Sequence, residues 1–148
     1  MLNEFTPAYP GDPTPEEQIE AIKSEYEEVL EAKEECWQRV AKELLDLAQT
    51  VVGYCDIVRD DWKVSLREEK LEFGSYYDLE DVDTFWKYYK AGFAILEELF
   101  WLAVYNFEML ILQHDRNNEN YYLELKEMFL DQHKEKLLKR RREWAKEV

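Results

Sequence analysis

Four acids in the first third of the chain sit at a spacing that can do chemistry: Glu25 with Glu28, and Glu43 with Asp46. Residues three apart on an α-helix share a face, so each pair aims two carboxylates at one point. Two such helices packed side by side would converge all four. Hard divalent cations, Mg²⁺ above all, are the usual occupants of all-oxygen sites. The chain carries 34 acids against 19 bases, for a net charge of -15, so acidic pairs also arise in it by chance. The pattern therefore has to be weighed by the helices that carry it.

The first helix has a clear start. Thr14 reads as an N-cap, Pro15 suits the first helical position, and Glu17 completes a capping box. At roughly 100° per residue, Ala21, Ile22, Val29, Ala32 and Cys36 fall within roughly 60° of Glu25. Glu20, Glu27, Glu31 and Glu34 take the opposite, solvated side, and Glu28 lies at the rim. A carboxylate facing the interior is costly unless something cationic meets it, which favours Glu25 with Glu28 over the equally legible Glu28 with Glu31. No Gly or Pro separates Glu34 from Arg39, so the break before the second helix is inferred, and one continuous helix to Val58 is the alternative. The second helix, about Trp37 to Val58, is apolar except for a narrow stripe including Glu43, Asp46 and Gln49. That stripe reads either as an ordinary solvent face or as the wall of a cleft.

Around this pair the chain predicts an all-α antiparallel bundle of four to five helices, completed by homo-oligomerisation. Residues 1–13, with Pro7, Pro10, Gly11 and Pro13, read as an irregular arm, and 14–148 as a single domain. A short helical piece is expected over Trp62–Phe73, then a turn at Gly74-Ser75 with Asp78. A third long helix is expected from near Asp81 to about His114, apolar nearly all round and so central or at a subunit interface. Asp115–Asn118 reads as a turn and Glu119–Lys146 as the last helix. Its basic end, Lys139–Arg142, suits the helix dipole, with phosphate contact or an acidic neighbour as the other readings.

Composition narrows the classes of function. Charge of this sign repels nucleic acid and anionic membranes. The most apolar window, Phe93 to Leu112, carries Glu97, Glu98 and Glu108, which argues for a core helix rather than a membrane span. The N-terminus lacks the pattern of a signal peptide. Cys36 and Cys55 make no disulfide framework, and a reducing cytoplasm is the expected setting. His114 and His133 have no Glu three residues before them, which sets aside a di-iron carboxylate bundle; both are expected at helix ends or on the surface. For Trp37, Tyr54 and Trp62, core packing is favoured over stacking on a base.

The segments SEYEEVLEA and KELLDLAQTVVGYC together resemble the all-α nucleoside triphosphate pyrophosphohydrolases, the MazG and dimeric dUTPase superfamily. Glu25 and Glu28 match the ExxE part of that family's EExxE, and Glu43 with Asp46 its ExxD, over roughly residues 18–58. Ser24 stands where the family has its first Glu. The nearest counterparts of the family's downstream basic and Asn-containing motif are Lys87, Lys90 and Asn106, which become candidate substrate contacts. The resemblance implies Mg²⁺-dependent cleavage of a nucleoside triphosphate between its α and β phosphates, with Mn²⁺ as an alternative ion. It implies Glu25, Glu28, Glu43 and Asp46 as metal ligands, with Glu28 or Glu31 as general base. A homodimer or homotetramer, formed through the aromatic helices, is expected alongside it. The rival reading is a non-enzymatic acidic interaction or nucleotide-binding module on the same scaffold.

Overall fold

The computed structural model describes residues 4–59, 61–67, 80–92, 95–115 and 121–146. Among them the regular structure is helical throughout: α1 (Pro15–Ala32), α2 (Trp37–Val58), α3 (Trp62–Arg67), α4 (Glu80–Lys90), α5 (Glu97–His114) and α6 (Tyr121–Lys146). The all-α bundle expected from the sequence is what the chain forms, with five of the helices packed against one another and α3 as a short addition.

Thr14 caps α1 as its sequence implies. Its hydroxyl accepts from the Glu17 amide while the Glu17 carboxylate accepts from the Thr14 amide. The helix ends at Ala32, residues 33–35 form a turn, and Cys36 takes an extended backbone before α2. The chain reverses because the buried stripe of α1, Ile22, Val29 and Ala32, can be covered only by folding back. Cross-contacts give the direction: Gln18 donates to the Thr50 carbonyl at 3.0 Å, while Glu25 lies against Glu43 and Asp46. Had α1 run on into α2, Glu25 and Glu43 would stand about 27 Å apart along the axis.

The centre of the bundle is α2. From Val40 to Cys55 every residue is buried except Lys42, Thr50 and Tyr54. It runs antiparallel to α6 as well, since Asp46 meets Lys136 and Gln49 meets His133. α5 closes another side, with Leu99, Phe100, Ala103, Phe107 and Ile111 in the core.

The single helix expected from Asp81 to His114 is in fact two. α4 ends at Lys90, and Gly92, at φ 85°, takes a left-handed conformation that stops the helix. The Ala91 and Gly92 amides still close on the Lys87 and Tyr89 carbonyls, so the end is capped. α5 then starts afresh with Glu97. The last helix begins at Tyr121, and the expected turns at 74–78 and 116–118 lie outside the described residues.

From Glu4 on, the N-terminal arm is irregular but firmly docked. Phe5 is buried against Phe100 in an edge-to-face contact with centroids 5.4 Å apart. Arg141 donates to the Thr6 and Pro7 carbonyls, Lys134 pairs with Glu4 at 2.6 Å, and the Tyr9 hydroxyl donates to Asp56 at 2.7 Å. Gly53 leaves room for this strap: a Cβ there would lie 3.3 Å from the Tyr9 ring.

Candidate metal and phosphate site

The polar stripe of α2 faces inward. Glu43, Asp46 and Gln49 are all buried, so the solvent-face reading does not hold for them, while Lys42 on the same helix stays exposed. α1 and α6 flank it. From α1, Glu25 converges on Glu43 and Asp46, one carboxylate oxygen of each lying within 4.8 Å of the others. Glu28 reaches the Glu25 and Glu43 carboxyls from the exposed rim. Glu31 is exposed one turn further on, toward Arg39.

Crowding and burial make this cluster hungry for positive charge. Glu25 Oε2, Glu43 Oε2 and Asp46 Oδ1 are buried without hydrogen-bond partners. Burial first, then the charges of Asp46 and Glu28, push the Glu25 carboxyl up to about 8. Burial and Asp46 raise Glu43 to about 7, with Lys136 acting the other way. A divalent cation relieves each of these costs together. The oxygens around one octahedral Mg²⁺ stand about 3 to 4 Å apart, so small side-chain movements would close this set on an ion. The residues fit the cation that the sequence implies.

The other flank is cationic. Lys136 Nζ lies 2.5 Å from Asp46 Oδ2, and Arg140 Nη1 lies 3.7 Å from Oδ1. Arg39 approaches Glu43 at 3.7 Å from within α2. His133 is buried beside them, its Nδ1 3.6 Å from Asp46 Oδ1 and its Nε2 3.1 Å from Gln49 Oε1. Burial draws His133 down to about 4, with Asp46 opposing and Lys136 and Arg140 adding to the fall, so the ring is neutral near pH 7. A cleft of about 190 Å³ opens between α2 and α6, lined by Lys42, Asp46, Gln132, His133 and Lys136. That is room for a phosphate-sized group but less than the roughly 300 Å³ at which whole-ligand pockets begin.

His133 therefore departs from expectation: it is neither at a helix end nor on the surface. It continues the inward stripe Leu125, Phe129, His133, Leu137, spaced by four, and that spacing was the signal for it. Lys136 and Arg140 follow at the same helical face, three and seven residues on. The basic end of α6 is thus partly committed, Arg140 to Asp46 and Arg141 to the arm. His114 does end α5, where it stacks on Trp37 with centroids 4.3 Å apart. Trp37 packs edge-on against Phe129, and Trp62 is buried, so these aromatics serve the core.

Lys87, Lys90 and Asn106 are not brought to the acids in this way. Lys87 and Lys90 are exposed on α4 and line a separate groove with Lys23, Tyr26 and Trp86, on the side of α1 turned away from Glu25. Asn106 is buried in α5, its amide donating to the Leu102 carbonyl at 2.8 Å. The basic groups beside the carboxylates are Lys136 and Arg140 of α6, with Arg39 of α2.

No helix among the described residues is long and apolar enough to cross a membrane. Compared with known protein families, with curated proteins and with solved structures, the chain matches none.

Proposed function

We propose that the protein is a Mg²⁺-dependent nucleoside triphosphate pyrophosphohydrolase, adding water across the α–β phosphoanhydride to give a monophosphate and pyrophosphate. The observation that carries this reading is the meeting of three carboxylates from two helices, each with an unpartnered buried oxygen, beside cationic side chains from a third helix. Glu25, Glu43 and Asp46 hold the ion, with Glu28 joining from the rim. Bound there, Mg²⁺ supplies Lewis-acid charge to the phosphate oxygens and to the attacking water.

The remaining steps belong to the chain. Lys136 and Arg140 are 40% and 36% exposed on flexible stems, so they can leave Asp46 and turn to the phosphates once a cation arrives. Glu28, exposed and next to the cluster, takes the proton from the water as general base. Glu31, pointing toward Arg39, is less well placed for it. The small cleft takes the phosphates and leaves the nucleoside outside it, at the surface or against a second subunit. A homodimer or homotetramer belongs to this reading, with exposed Leu112, Leu123, Met128 and Leu138 as contact residues. A cytoplasmic setting fits the free thiols of Cys36 and Cys55.

One observation favours a second reading. The Lys136 ammonium already sits on Asp46, which is how a site closed by its own cations would look, as in a non-enzymatic nucleotide-binding or interaction module. Pyrophosphate release from a panel of ribo- and deoxyribonucleoside triphosphates, with and without Mg²⁺, separates the two. Metal-dependent release that is lost in Asp46→Ala is the expected result. A folded protein releasing none from any nucleotide would overturn the enzyme and leave the module.

A further inference from the structure

We propose that a divalent cation is also held between Asp46 Oδ1 and His133 Nδ1, on the α6 side of the acidic cluster, where the nitrogen donor favours a borderline ion such as Mn²⁺, Co²⁺ or Zn²⁺ over Mg²⁺. The arm sets up this position from a distance. The Thr6 main-chain carbonyl can only accept, so Gln49 must turn its amide nitrogen to it, and the two lie 2.6 Å apart. Gln49 Oε1 is thereby left facing His133 Nε2 at 3.1 Å. An amide oxygen also only accepts, so Nε2 carries the ring proton. Nδ1 is then the ring nitrogen turned to the Asp46 side, where an ion can take the place of a proton.

That nitrogen faces a carboxylate. Asp46 Oδ1 lies 3.6 Å away and has no hydrogen-bond partner. Asp46 is 3% exposed and His133 5%, and both line the cleft between α2 and α6, which gives an ion its way in. A buried carboxylate oxygen without a partner, facing an imidazole nitrogen at the wall of a cleft, is a place for a shared cation. The separation is too long for a hydrogen bond. It is the distance between two donor atoms on one ion at about 2.1 Å from each, at an angle of roughly 120°. Lys136 engages the other oxygen, Oδ2, and leaves Oδ1 open. Arg140, beyond hydrogen-bond distance from Oδ1, has solvent to swing into.

Imidazole beside carboxylate suits Mn²⁺, Co²⁺ and Zn²⁺, whereas Mg²⁺ prefers oxygen alone. Gln49, which fixes the tautomer, is the positioning residue behind this ligand. The inference stands apart from hydrolysis, because metals alone are its probe and no nucleotide enters the experiment.

The test uses the full chain with ¹⁵N-labelled histidine. Near neutral pH, long-range ¹H–¹⁵N spectra should show His133 as the Nε2–H tautomer, and Zn²⁺ should shift its Nδ1 resonance. Mn²⁺ should bind with nitrogen modulation in pulsed EPR that survives His114→Gln. His133→Asn should remove the modulation and weaken Mn²⁺ and Zn²⁺ binding on the order of tenfold or more, with Mg²⁺ affected far less. Zn²⁺ leaving the His133 nitrogens unshifted, or Mn²⁺ binding without nitrogen modulation, would overturn the proposal. Both readouts come from the unmutated protein, so a variant that fails to fold does not protect it.

Discussion

Two sets of acids on this molecule share nearly the same spacing and differ in everything else. Glu124, Glu127, Asp131 and Glu135 recur at three and four residues along α6, as regularly as Glu43 and Asp46 do on α2. All four lie exposed around an open dip in the surface with Met128 and Gln132. Water solvates them, and one helix alone presents them. Glu43 and Asp46 are buried instead, and Glu25 comes to them from a neighbouring helix. Convergence from two helices out of water is what sets the candidate cation site apart from a charge run; spacing is only its precondition.

The largest test of that contrast is catalytic. Asp46→Ala should lower pyrophosphate release by at least about a hundredfold, the usual scale for losing a group that positions transition-state charge. Asp131→Ala should leave the rate within about twofold, as for an exposed side chain away from the chemistry. Circular dichroism on both variants checks that α2 still folds. Equal losses from the two would erase the distinction between buried and exposed acids.

The buried set also depends on a part of the chain that the exposed set does not touch. Phe5 packs on Phe100 and on the His133 ring, its centroid 5.5 Å from the latter, while Thr6 holds Gln49. Phe5→Ala should cost about 3 kcal/mol in urea unfolding, the lower end for emptying a buried aromatic site. A loss below about 1 kcal/mol would mean that the strap contributes little and that Gln49 and His133 hold their places without it.

Acidity separates the two sets again. Glu25 at about 8 and Glu43 at about 7 both stand above the ordinary 4.5, so what they contribute is fully present below 4.5 and is lost as pH rises through 7 and 8. His133, at about 4 against an ordinary 6.5, contributes stability above 6.5 that is lost as pH falls toward 4. The two trends oppose each other between 4.5 and 6.5, and above 6.5 the carboxylates act alone. Metal-free protein should therefore lose several degrees of Tm between pH 6.5 and 8.5. Saturating Mg²⁺ should flatten that fall, because a bound cation favours the ionised acids. A metal-free Tm unchanged over this range would mean that the acids are not crowded as described.

Much of this was legible in the sequence, and the misses have physical causes. The capping box and the inward side of α1 follow from local rules, side-chain reach over one turn and 3.6-residue periodicity, whereas the start of α2 has no local signal and is set by the chain folding back. The Glu25 register follows too, because a carboxylate among Ile22, Val29 and Ala32 needs a reason to be there. A lone glycine is tolerated inside a helix, so Gly92 gives no decisive local signal, and its left-handed φ makes it a stop. His133, Lys136 and Arg140 lie some ninety residues from Asp46 along the chain. No local rule links them, and their meeting depends on how α6 returns along α2. Docking of the arm was illegible for the same reason, since Phe5 finds Phe100 and His133 only in the folded bundle.

Gly53→Ala gives the smallest effect and the finest test of how the interior polar groups are held. In an exposed helix the exchange would stabilise by about 1 kcal/mol through helix propensity. Here the new Cβ would lie 2.9 Å from Gln18 Nε2 and 3.3 Å from the Tyr9 ring. The Gln18 end is not free to yield, because it is buried and donates to the Thr50 carbonyl. Displacing it breaks that bond and strands a buried amide, at about 1 to 3 kcal/mol. The Tyr9 ring must shift as well, and its hydroxyl is tied to Asp56. Against the propensity gain, the net loss should be about 1 kcal/mol in urea unfolding. A Gly53→Ala protein more stable than the parent would show that Gln18 and the strap move aside at little cost. The acids on α2 would then owe their burial to α1 and α6 alone.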